Sequence, residues 1–332
     1  MVPRNKDWFA YKRNEPQAQK VVAESLRQSR NLPFEPEDIF LTNGAFAALG
    51  VTLAAIVDPG DEVIFVSPPW FFYEFYIAAS GAVPVRVRID PQTFDLDLAA
   101  IQAVITPRTR AVLINSPNNP TGKIYPPETL RALADLLEVA SQQNGRTLYL
   151  ISDEAYWRIR YDGRGYPSPT AFYPNTLLLY TYGKTLLSPG QRIGYIALPP
   201  TMLGRELLRE ALLTAQLLIG WAFPNALLQH ALADFEPLSI DLGRLEKKRD
   251  WLVTELRGSG YQVHSPEGTF YLLPRSPLAD DWAFTELLAK HDILCLPGRV
   301  VEMPGYFRIS LTASEEMIEQ ALPGFVQALE GV

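Results

Sequence analysis

Short apolar runs alternate with helix-like patterns through the first two-thirds of the chain. The runs are rich in β-branched and aromatic residues, which is typical of buried strands. They predict strands at residues 62–66, 83–89, 110–115, 147–152, 176–182 and 193–198. Apolar residues at helical spacing between them predict helices at residues 45–57, 70–79, 96–104 and 127–143. This alternation predicts an α/β fold with a mainly parallel sheet that carries helices on both faces.

The pattern changes at about residue 200, where long helical stretches begin, and a smaller mixed region follows from about residue 240. A chain of 332 residues exceeds the size at which single hydrophobic cores usually divide. We therefore expect a large domain of residues 31–237, and a smaller α+β domain formed by residues 1–30 and 238–332.

Composition narrows the classes of protein to which the chain can belong. The 30 basic and 37 acidic residues give a net charge of −7 without a basic block, which argues against nucleic acid or an anionic membrane as a partner. Cys295 is the only cysteine, so we expect no internal disulfide and a cytoplasmic location. The amino terminus has no signal-peptide pattern, and the apolar run at residues 211–223 is too short to span a membrane.

Polar side chains follow three of the predicted strands, at the end where ligands bind in parallel sheets. The strand predicted at residues 110–115 leads into NSPNNPTG at residues 115–122. The strand at residues 147–152 is followed by Asp153 and Tyr156, and the strand at residues 176–182 ends in Thr181 and is followed by Lys184. An acid and an amine alone are equally consistent with a structural ion pair. Pyridoxal phosphate accounts for more of the set, because it needs a lysine, an acid beside its pyridine nitrogen and an anion cradle.

Eight motifs occur in the order in which one enzyme family carries them. They are TNGAFAAL, PGDEV, SPPWFFYEFY, SPNNPTG, SDEAYW, YGKxxxxxGQRIGY, GTFYL and FRIS. Between about residue 11 and residue 311, the chain resembles the class I/II, aspartate-aminotransferase-like enzymes of fold type I. The resemblance implies the fold of pyridoxal-phosphate-dependent transferases, pyridoxal 5'-phosphate as the cofactor, and an amino acid and a 2-oxo acid as substrates.

The resemblance also implies roles for individual residues. Lys184 corresponds to the lysine that forms the Schiff base with the cofactor, and Asp153 to the acid that pairs with the protonated pyridine nitrogen. Asn119 and Tyr156 correspond to the donors to the 3-oxygen of the ring, and Trp70 to the aromatic residue that stacks on its face. Lys184, Asp153 and Tyr156 are thus the expected catalytic residues.

The phosphate of the cofactor is expected at the start of a predicted helix. Backbone amides at a helix N-terminus and the helix dipole both favour a dianion, and an arginine adds a fork-shaped contact. The expected phosphate-binding residues are Gly44, Ala45, Phe46, Thr181 and Arg192.

Two further residues extend the resemblance to the substrate and to a second subunit. Arg308, on a late strand, corresponds to the arginine that binds the α-carboxylate of the substrate, with Asn119 and Trp70 also beside the substrate. Tyr11 corresponds to a tyrosine that reaches the phosphate in the neighbouring subunit, which implies a homodimer with shared active sites. Family members normally have a glycine-containing loop before this tyrosine and a glycine after it, where this chain has Glu15-Pro16.

The implied function is a ping-pong aminotransferase acting through a pyridoxal-phosphate Schiff base on Lys184. Other reactions at Cα, such as a C–S β-lyase or a racemase, use the same cofactor site and stay open. Tyr180 and Lys184 also form the YxxxK spacing of a short-chain dehydrogenase, a distant alternative since no glycine-rich dinucleotide motif follows the first strand. A non-enzymatic cofactor-binding sensor lacks support, because no DNA-binding segment is appended.

The sequence motifs do not determine which side chain the substrate carries. The aromatic run of Trp70, Phe71, Phe72 and Tyr73 permits aromatic or large apolar substrates, and it is equally consistent with core packing. Trp221 and Tyr271 are further candidates for the pocket wall. The three histidines, His230, His264 and His291, are scattered without ligand spacing, so we expect no metal site.

Overall fold

The computed structural model describes residues 6–332. Seven strands form its large sheet: β1 (Ile39–Thr42), β2 (Glu62–Ser67), β3 (Val83–Arg88), β4 (Thr109–Asn115), β5 (Tyr149–Asp153), β6 (Thr176–Thr181) and β7 (Gly194–Ala197). Their order across the sheet is β1-β7-β6-β5-β4-β2-β3. Strands β2 to β6 run parallel, whereas β7 is antiparallel to both of its neighbours, β6 and β1.

Helices connect and cover these strands. The α-helices of the described residues are α1 (Pro16–Arg30), α2 (Ala45–Ile56), α3 (Tyr73–Ala79), α4 (Leu98–Val104), α5 (Pro127–Asn144), α6 (Tyr182–Thr185), α7 (Arg205–Leu218), α8 (Ala226–His230), α9 (Leu232–Phe235), α10 (Leu242–Gly258), α11 (Asp281–Ala289) and α12 (Glu315–Glu330). Across residues 6–332, we find no helix that combines the length and the apolar character needed to cross a bilayer.

The two faces of the large sheet pack against different helices. Successive residues of β2 alternate between them: Val63 and Phe65 share a core with α2 and α7, whereas Ile64 and Val66 share one with α4 and α5. Every residue of β2 is therefore buried. A strand covered on both faces needs apolar side chains at consecutive positions, which is why the sequence shows continuous apolar runs rather than alternation.

One edge of the large sheet collects the polar strand ends. Asn115 is paired with Asp153 in the register of β4 and β5, and Asp153 is paired with Leu179 in that of β5 and β6. Because β7 runs antiparallel to β6, Thr181 at the end of β6 lies opposite Gly194 at the start of β7. The last residues of three strands and the first of a fourth thus meet at the same edge.

A second, smaller sheet belongs to the carboxyl-terminal part of the chain. Its antiparallel strands are β8 (Tyr271–Leu272), β9 (Leu296–Pro297) and β10 (Phe307–Ser310), in the order β8-β10-β9. Strands β8 and β10 share a core with α10, α11 and α12, and Tyr156, from the loop after β5, is buried in the same core. The loop that carries Tyr156 therefore joins the large sheet to the second core.

The structure confirms the predicted α/β fold, its mainly parallel sheet and all the predicted strands. The sequence did not predict β1, which has only 4 residues. The helix predicted at residues 70–79 begins instead at Tyr73, because Trp70 lies in a turn closed by the Tyr73 amide on the Trp70 carbonyl at 3.0 Å.

Helix α1 packs on the large sheet. Its Val22 and Leu26 share a core with Leu41 of β1 and Leu178 of β6. Pro16 occupies the first turn of this helix, where a fixed φ and a missing N–H are tolerated, which explains the Glu15-Pro16 pair in physical terms. The division into residues 31–237 and residues 1–30 with 238–332 stays a prediction, and residues 1–5 lie outside the described part.

A buried ion pair ties α1 to the end of β5. Arg30 Nη2 lies 2.6 Å from Glu154 Oε2, and the two side chains are only 2% and 0% exposed. The guanidinium also lies over the ring of Trp157, 4.1 Å from its centre. Burial raises the pKa of Glu154, and the charge of Arg30 opposes that shift. The pair lies directly beside Asp153, so it holds that part of the sheet edge in place.

We expect Arg30→Met to lower the free energy of unfolding by about 3–5 kcal/mol, because it leaves the Glu154 carboxylate buried without an opposite charge. Urea unfolding at pH 7 measures the loss. The double variant Arg30→Met/Glu154→Gln should lose less than the single variant, since the uncompensated charge is then gone.

The matched control is Arg244→Met, which breaks an ion pair with Glu315 whose side chains are 65% and 44% exposed. An exposed pair contributes no more than about 1 kcal/mol. Equal losses for Arg30→Met and Arg244→Met would contradict the assignment of a buried, stabilising pair.

Candidate active site

A pocket opens at the polar edge of the large sheet. Its volume is about 150 Å³, and it lies at the ends of β4, β5 and β6. Nine of the residues predicted from the sequence line it: Ala45, Phe46, Trp70, Asn119, Asp153, Tyr156, Thr181, Lys184 and Arg192. Tertiary structure thus brings together residues that are widely separated along the chain.

Lys184 lies on α6, a single helical turn that follows β6 directly. The hydroxyl of Thr181 caps this turn by accepting a hydrogen bond from the Gly183 amide at 3.4 Å. The Lys184 amine lies 5.6 Å from the ring centre of Tyr156, and within residues 6–332 no acidic side chain forms a salt bridge with it. The simple ion pair with Asp153 that the sequence left open is therefore not formed.

Asp153 ends β5 and is almost fully buried. Its Oδ2 accepts a hydrogen bond from the Tyr73 hydroxyl at 2.6 Å, and its Oδ1 accepts one from the Ala155 amide at 3.1 Å. Burial raises the pKa of Asp153, whereas these two hydrogen bonds and the charge of Lys184 oppose the rise. The carboxylate is therefore placed to stabilise a cation in the pocket.

Asn119 and Arg308 form a second polar group beside the pocket. Arg308 Nη1 donates a hydrogen bond to Asn119 Oδ1 at 2.9 Å. The backbone N–H of Asn119 donates to Asn115 Oδ1 at 2.8 Å. Asn115 in turn donates from Nδ2 to the Asp153 carbonyl at 2.9 Å. This chain of hydrogen bonds fixes Arg308 of the small sheet relative to the end of β5.

Tyr156 and Tyr271 link the pocket to the small sheet. Their ring centres are 6.1 Å apart, and the guanidinium of Arg308 lies over Tyr271, 4.1 Å from its ring centre. Burial raises the pKa of Tyr156 far above its usual range, and the neighbouring Tyr271 adds to the rise. Tyr156 therefore stays a protonated hydrogen-bond donor at neutral pH.

An anion cradle closes one end of the pocket. A Cβ placed on Gly44 would lie 2.5 Å from Arg192 Nη2 and 3.3 Å from Thr181 Oγ1, so only glycine lets these groups approach the backbone. Gly44 has a φ of 82° and precedes α2, whose N-terminus has no side-chain cap and whose first turn contains no acidic residue. Free amides, a hydroxyl and a guanidinium fit a phosphate dianion.

The donor set of the whole pocket fits pyridoxal phosphate. The cradle suits the phosphate, the amine of Lys184 suits the aldehyde, and the buried carboxylate of Asp153 suits a protonated ring nitrogen. Trp70 contributes an aromatic face to the pocket and meets Phe46 edge-on, with ring centres 4.9 Å apart and planes at 85°.

Arg308 and Gly44 contact residues of the lining without belonging to it, and three other residues considered from the sequence, Tyr11, Trp221 and Tyr180, lie farther from it. Tyr11 is 87% exposed and contacts Phe223 at a ring distance of 5.0 Å. Trp221 packs against the core of the large sheet. The Tyr180 hydroxyl is buried against Thr185 Oγ1, 2.9 Å away, on the side that packs against α1.

Sequence reasoning missed the function of three residues at this site. Tyr73 was considered only as part of an aromatic run, and its hydroxyl holds Asp153. Asn115 connects Asn119 to the end of β5. Gly194 permits the strands to meet, because a Cβ there would lie 2.2 Å from the Tyr180 carbonyl oxygen and 2.8 Å from Gly44 Cα. The GQRIGY motif contains Gly194, and that was the available signal.

Outside the pocket, one group of side chains has the composition of a cation site. Asp7, Glu15 and His230 bring one ligand atom each within 4.8 Å of one another. The Lys12 amine already lies between the two carboxylates, 2.7 Å from Asp7 Oδ2 and 3.1 Å from Glu15 Oε2. A lysine therefore supplies the positive charge at this position.

Comparison with known proteins gives a family match over nearly the whole chain. The sequence model of the family described as "Aminotransferase class I and II" matches residues 4–325. A probable aspartate/prephenate aminotransferase of Thermus aquaticus is 34% identical, over 95% of this chain and 82% of that protein. The aspartate/prephenate aminotransferase of Thermus thermophilus is 33% identical, over 95% and 81%.

Solved structures agree with the sequence matches. An amino transferase from Eubacterium rectale has a TM-score of 0.95 at 32% identity and covers 100% of this chain and 84% of its own. The aspartate aminotransferase of Thermus thermophilus with maleate has a TM-score of 0.82 at 31% identity, over 96% and 84%.

We expect Tyr73→Phe to raise the pKa of Asp153 by about one unit or more, because a hydrogen bond to the charged form is worth about 1.5–3 kcal/mol. Carbon-13 NMR of the cofactor-free protein, labelled at aspartate side chains, follows the titration, and Asp153→Asn identifies the resonance. Tyr76→Phe is the control, since Tyr76 has no hydrogen bond to Asp153. An unchanged Asp153 titration in Tyr73→Phe would contradict the role of this contact.

Proposed function

Because the chain belongs to the class I and II aminotransferase family, we propose that its pocket holds pyridoxal phosphate, the cofactor on which that family depends. The protein is an aminotransferase, which moves an amino group between an amino acid and a 2-oxo acid. One observation carries the assignment of the pocket. The Lys184 amine, the buried Asp153 carboxylate and the cradle between Gly44 and Arg192 all face one cavity.

Each part of the cofactor has a partner in this proposal. Lys184 carries the cofactor through its amine, Asp153 pairs with the ring nitrogen, and Asn119 and Tyr156 donate to the ring oxygen. The amides of Ala45 and Phe46, the Thr181 hydroxyl and the Arg192 guanidinium bind the phosphate, and Trp70 lies against the ring. When bound, pyridoxal phosphate supplies an electron sink that weakens the bonds at the substrate Cα.

The residues of the chain then orient the substrate and move its proton. Arg308 binds the α-carboxylate, and its guanidinium is held by Asn119 and by the ring of Tyr271. A fixed carboxylate limits the rotation of the substrate, so its Cα proton stays near one base. Lys184, the lysine of the pocket lining, is that base, and it also returns the proton as a general acid.

The alternatives weighed from the sequence do not fit as well. The short-chain dehydrogenase assignment is wrong, because the chain is an aminotransferase and the Tyr180 hydroxyl is buried outside the pocket lining. The names of the relatives support transamination over a C–S β-lyase or a racemase.

A homodimer with shared sites is also part of the proposal. Tyr11 is 87% exposed, Phe9 67% and Leu218 80%, and Phe223 beside Tyr11 is 48% exposed. Exposed apolar side chains that lie together, as Tyr11 and Phe223 do, are typical of surfaces that another protein covers. A second copy of the chain, which would receive Tyr11 at its phosphate cradle, accounts for this exposure. A cytoplasmic location stays a prediction.

We expect Lys184→Ala to lose the covalent attachment of the cofactor and to slow the first half-reaction by at least about 1,000-fold, because the proton-transferring base is removed. Borohydride reduction of the loaded protein followed by peptide mass spectrometry locates the attachment. Stopped-flow absorbance with a mixture of amino acids follows the half-reaction.

Lys247→Ala is the control for this experiment, because Lys247 is exposed and lies outside the pocket lining. It should keep both the attachment and the rate. Reduction that labels a lysine other than Lys184 in the unmodified protein would overturn the assignment.

We expect Tyr11→Phe to weaken cofactor affinity by about 10-fold or more, because a hydrogen bond to a charged group is lost. Hybrid dimers tell which subunit receives the hydroxyl. A Tyr11→Phe/Lys184→Ala subunit paired with an unmodified subunit leaves one working lysine, in the unmodified subunit. In a shared site, residue 11 at that lysine comes from the double variant, so the site lacks the tyrosine hydroxyl.

The control hybrid pairs a Lys184→Ala subunit, with Tyr11 intact, with an unmodified subunit. Cofactor titration should give weaker affinity at the working site of the first hybrid than at that of the control. Equal affinities in the two hybrids would contradict a site shared across the dimer.

A further inference from the structure

An aromatic wall borders the pocket. We use this name for Phe46, Trp70, Phe72 and Tyr76. Phe46 lies at its centre, with ring distances of 4.9 Å to Trp70, 5.4 Å to Phe72 and 4.9 Å to Tyr76. Phe46 and Trp70 line the pocket itself, together with the apolar side chain of Leu49. Edge-on aromatic contacts hold Phe46 in one orientation, so this side of the pocket presents a fixed apolar surface.

Every cation at the pocket already has a role. Lys184 and Arg192 are the only lysine and arginine in the pocket lining of the described residues. In the proposed function, the first carries the cofactor and the second binds its phosphate. Arg308, bonded to Asn119, binds the α-carboxylate. Within residues 6–332, no further arginine or lysine lines the pocket to meet a second carboxylate of the substrate.

We propose that this aminotransferase acts on amino acids with aromatic or large apolar side chains, and that Phe46 is a residue that determines this specificity. The inference rests on the proposed function, because it takes Lys184, Arg192 and Arg308 as already occupied. It concerns only the side chain of the substrate, which lies against the aromatic wall.

The physical reason is the cost of burying an unpaired charge. The side-chain carboxylate of a dicarboxylic amino acid loses hydration on entering the pocket, and no remaining cation replaces that hydration. An aromatic or branched apolar side chain instead removes apolar area from water and packs against Phe46 and Trp70. With the α-carboxylate bound at Arg308 in both cases, the pocket therefore disfavours the side chain of a dicarboxylic amino acid and favours an aromatic or large apolar side chain.

The first experiment compares amino donors in the half-reaction of the cofactor-loaded protein. L-Phenylalanine, L-tyrosine, L-leucine, L-alanine, L-aspartate and L-glutamate are each mixed with it, and absorbance gives kcat/KM. We expect phenylalanine or leucine to exceed aspartate and glutamate by about 100-fold or more. Aspartate or glutamate equal to or faster than phenylalanine and leucine overturns the inference, whether the missing cation comes from a second subunit or from elsewhere.

Failure of this inference differs from failure of the proposed function. If aspartate is converted well, the protein still works through Lys184 and only the specificity is wrong. If no amino acid is converted and borohydride labels no lysine, the cofactor site itself is wrong, and the inference falls with it.

A variant then tests Phe46 directly. Phe46→Ala should lower the ratio of kcat/KM for phenylalanine to that for alanine by about 10-fold, whereas Phe46→Leu should keep most of it. Phe75→Ala is the matched control, because the Phe75 ring lies 6.4 Å from that of Phe72 in the aromatic wall, yet Phe75 is 68% exposed and lies outside the pocket lining. It should leave the ratio unchanged. An unchanged ratio in Phe46→Ala contradicts the role of Phe46.

Binding without turnover provides an independent measurement. Calorimetry of the loaded protein compares 3-phenylpropionate, which has one carboxylate and an aromatic ring, with succinate, which has two carboxylates. We expect the dissociation constant of 3-phenylpropionate to be at least about 10-fold lower, and Phe46→Ala to reduce that difference. Tighter binding of succinate overturns the inference.

Discussion

The burial of the Asp153 carboxylate is the constraint on which the rest of the site depends. A carboxyl group at the buried end of a strand gains protons unless donors stabilise its charged form. Here the Tyr73 hydroxyl and the Ala155 amide provide that stabilisation, at 2.6 Å and 3.1 Å. Because Tyr73 starts α3, the position of this helix against the sheet is coupled to the charge of Asp153. The ion pair of Arg30 with Glu154 secures the next residue of the same strand end.

The anion cradle depends on a different constraint, the close approach of backbone segments. Gly44 and Gly194 lack a Cβ, so the start of α2 can lie directly against the start of β7 and under the guanidinium of Arg192. This arrangement requires β7 to run antiparallel to β6, because β7 must begin at the edge of the sheet where β6 ends. The single antiparallel strand inserted between β6 and β1 is therefore what brings Arg192 beside Thr181.

Local signals explain which parts of the site could be predicted from the sequence. Strand ends, turn residues and ordered motifs identified Lys184, Asp153 and Asn119, and the pocket contains all three. The same signals could not separate Tyr73 from ordinary core aromatics, because an aromatic residue at the start of an apolar helix is usually packed in a core. The predicted start of α3, at residue 70, was wrong for a related reason, because the turn at Trp70 has no strong sequence signature in an aromatic run.

The sequence by itself determined the type of most elements of the large sheet, the α/β class and the chemical groups available at the strand ends, because periodicity and motifs are properties of neighbouring residues. Only the tertiary structure decided which of those groups touch. Tyr73 and Asp153 are 80 residues apart in the chain, and Asn119 and Arg308 are 189 residues apart. Contacts of this kind depend on how helices pack on the sheet and how the two cores meet, and no local pattern encodes those distances.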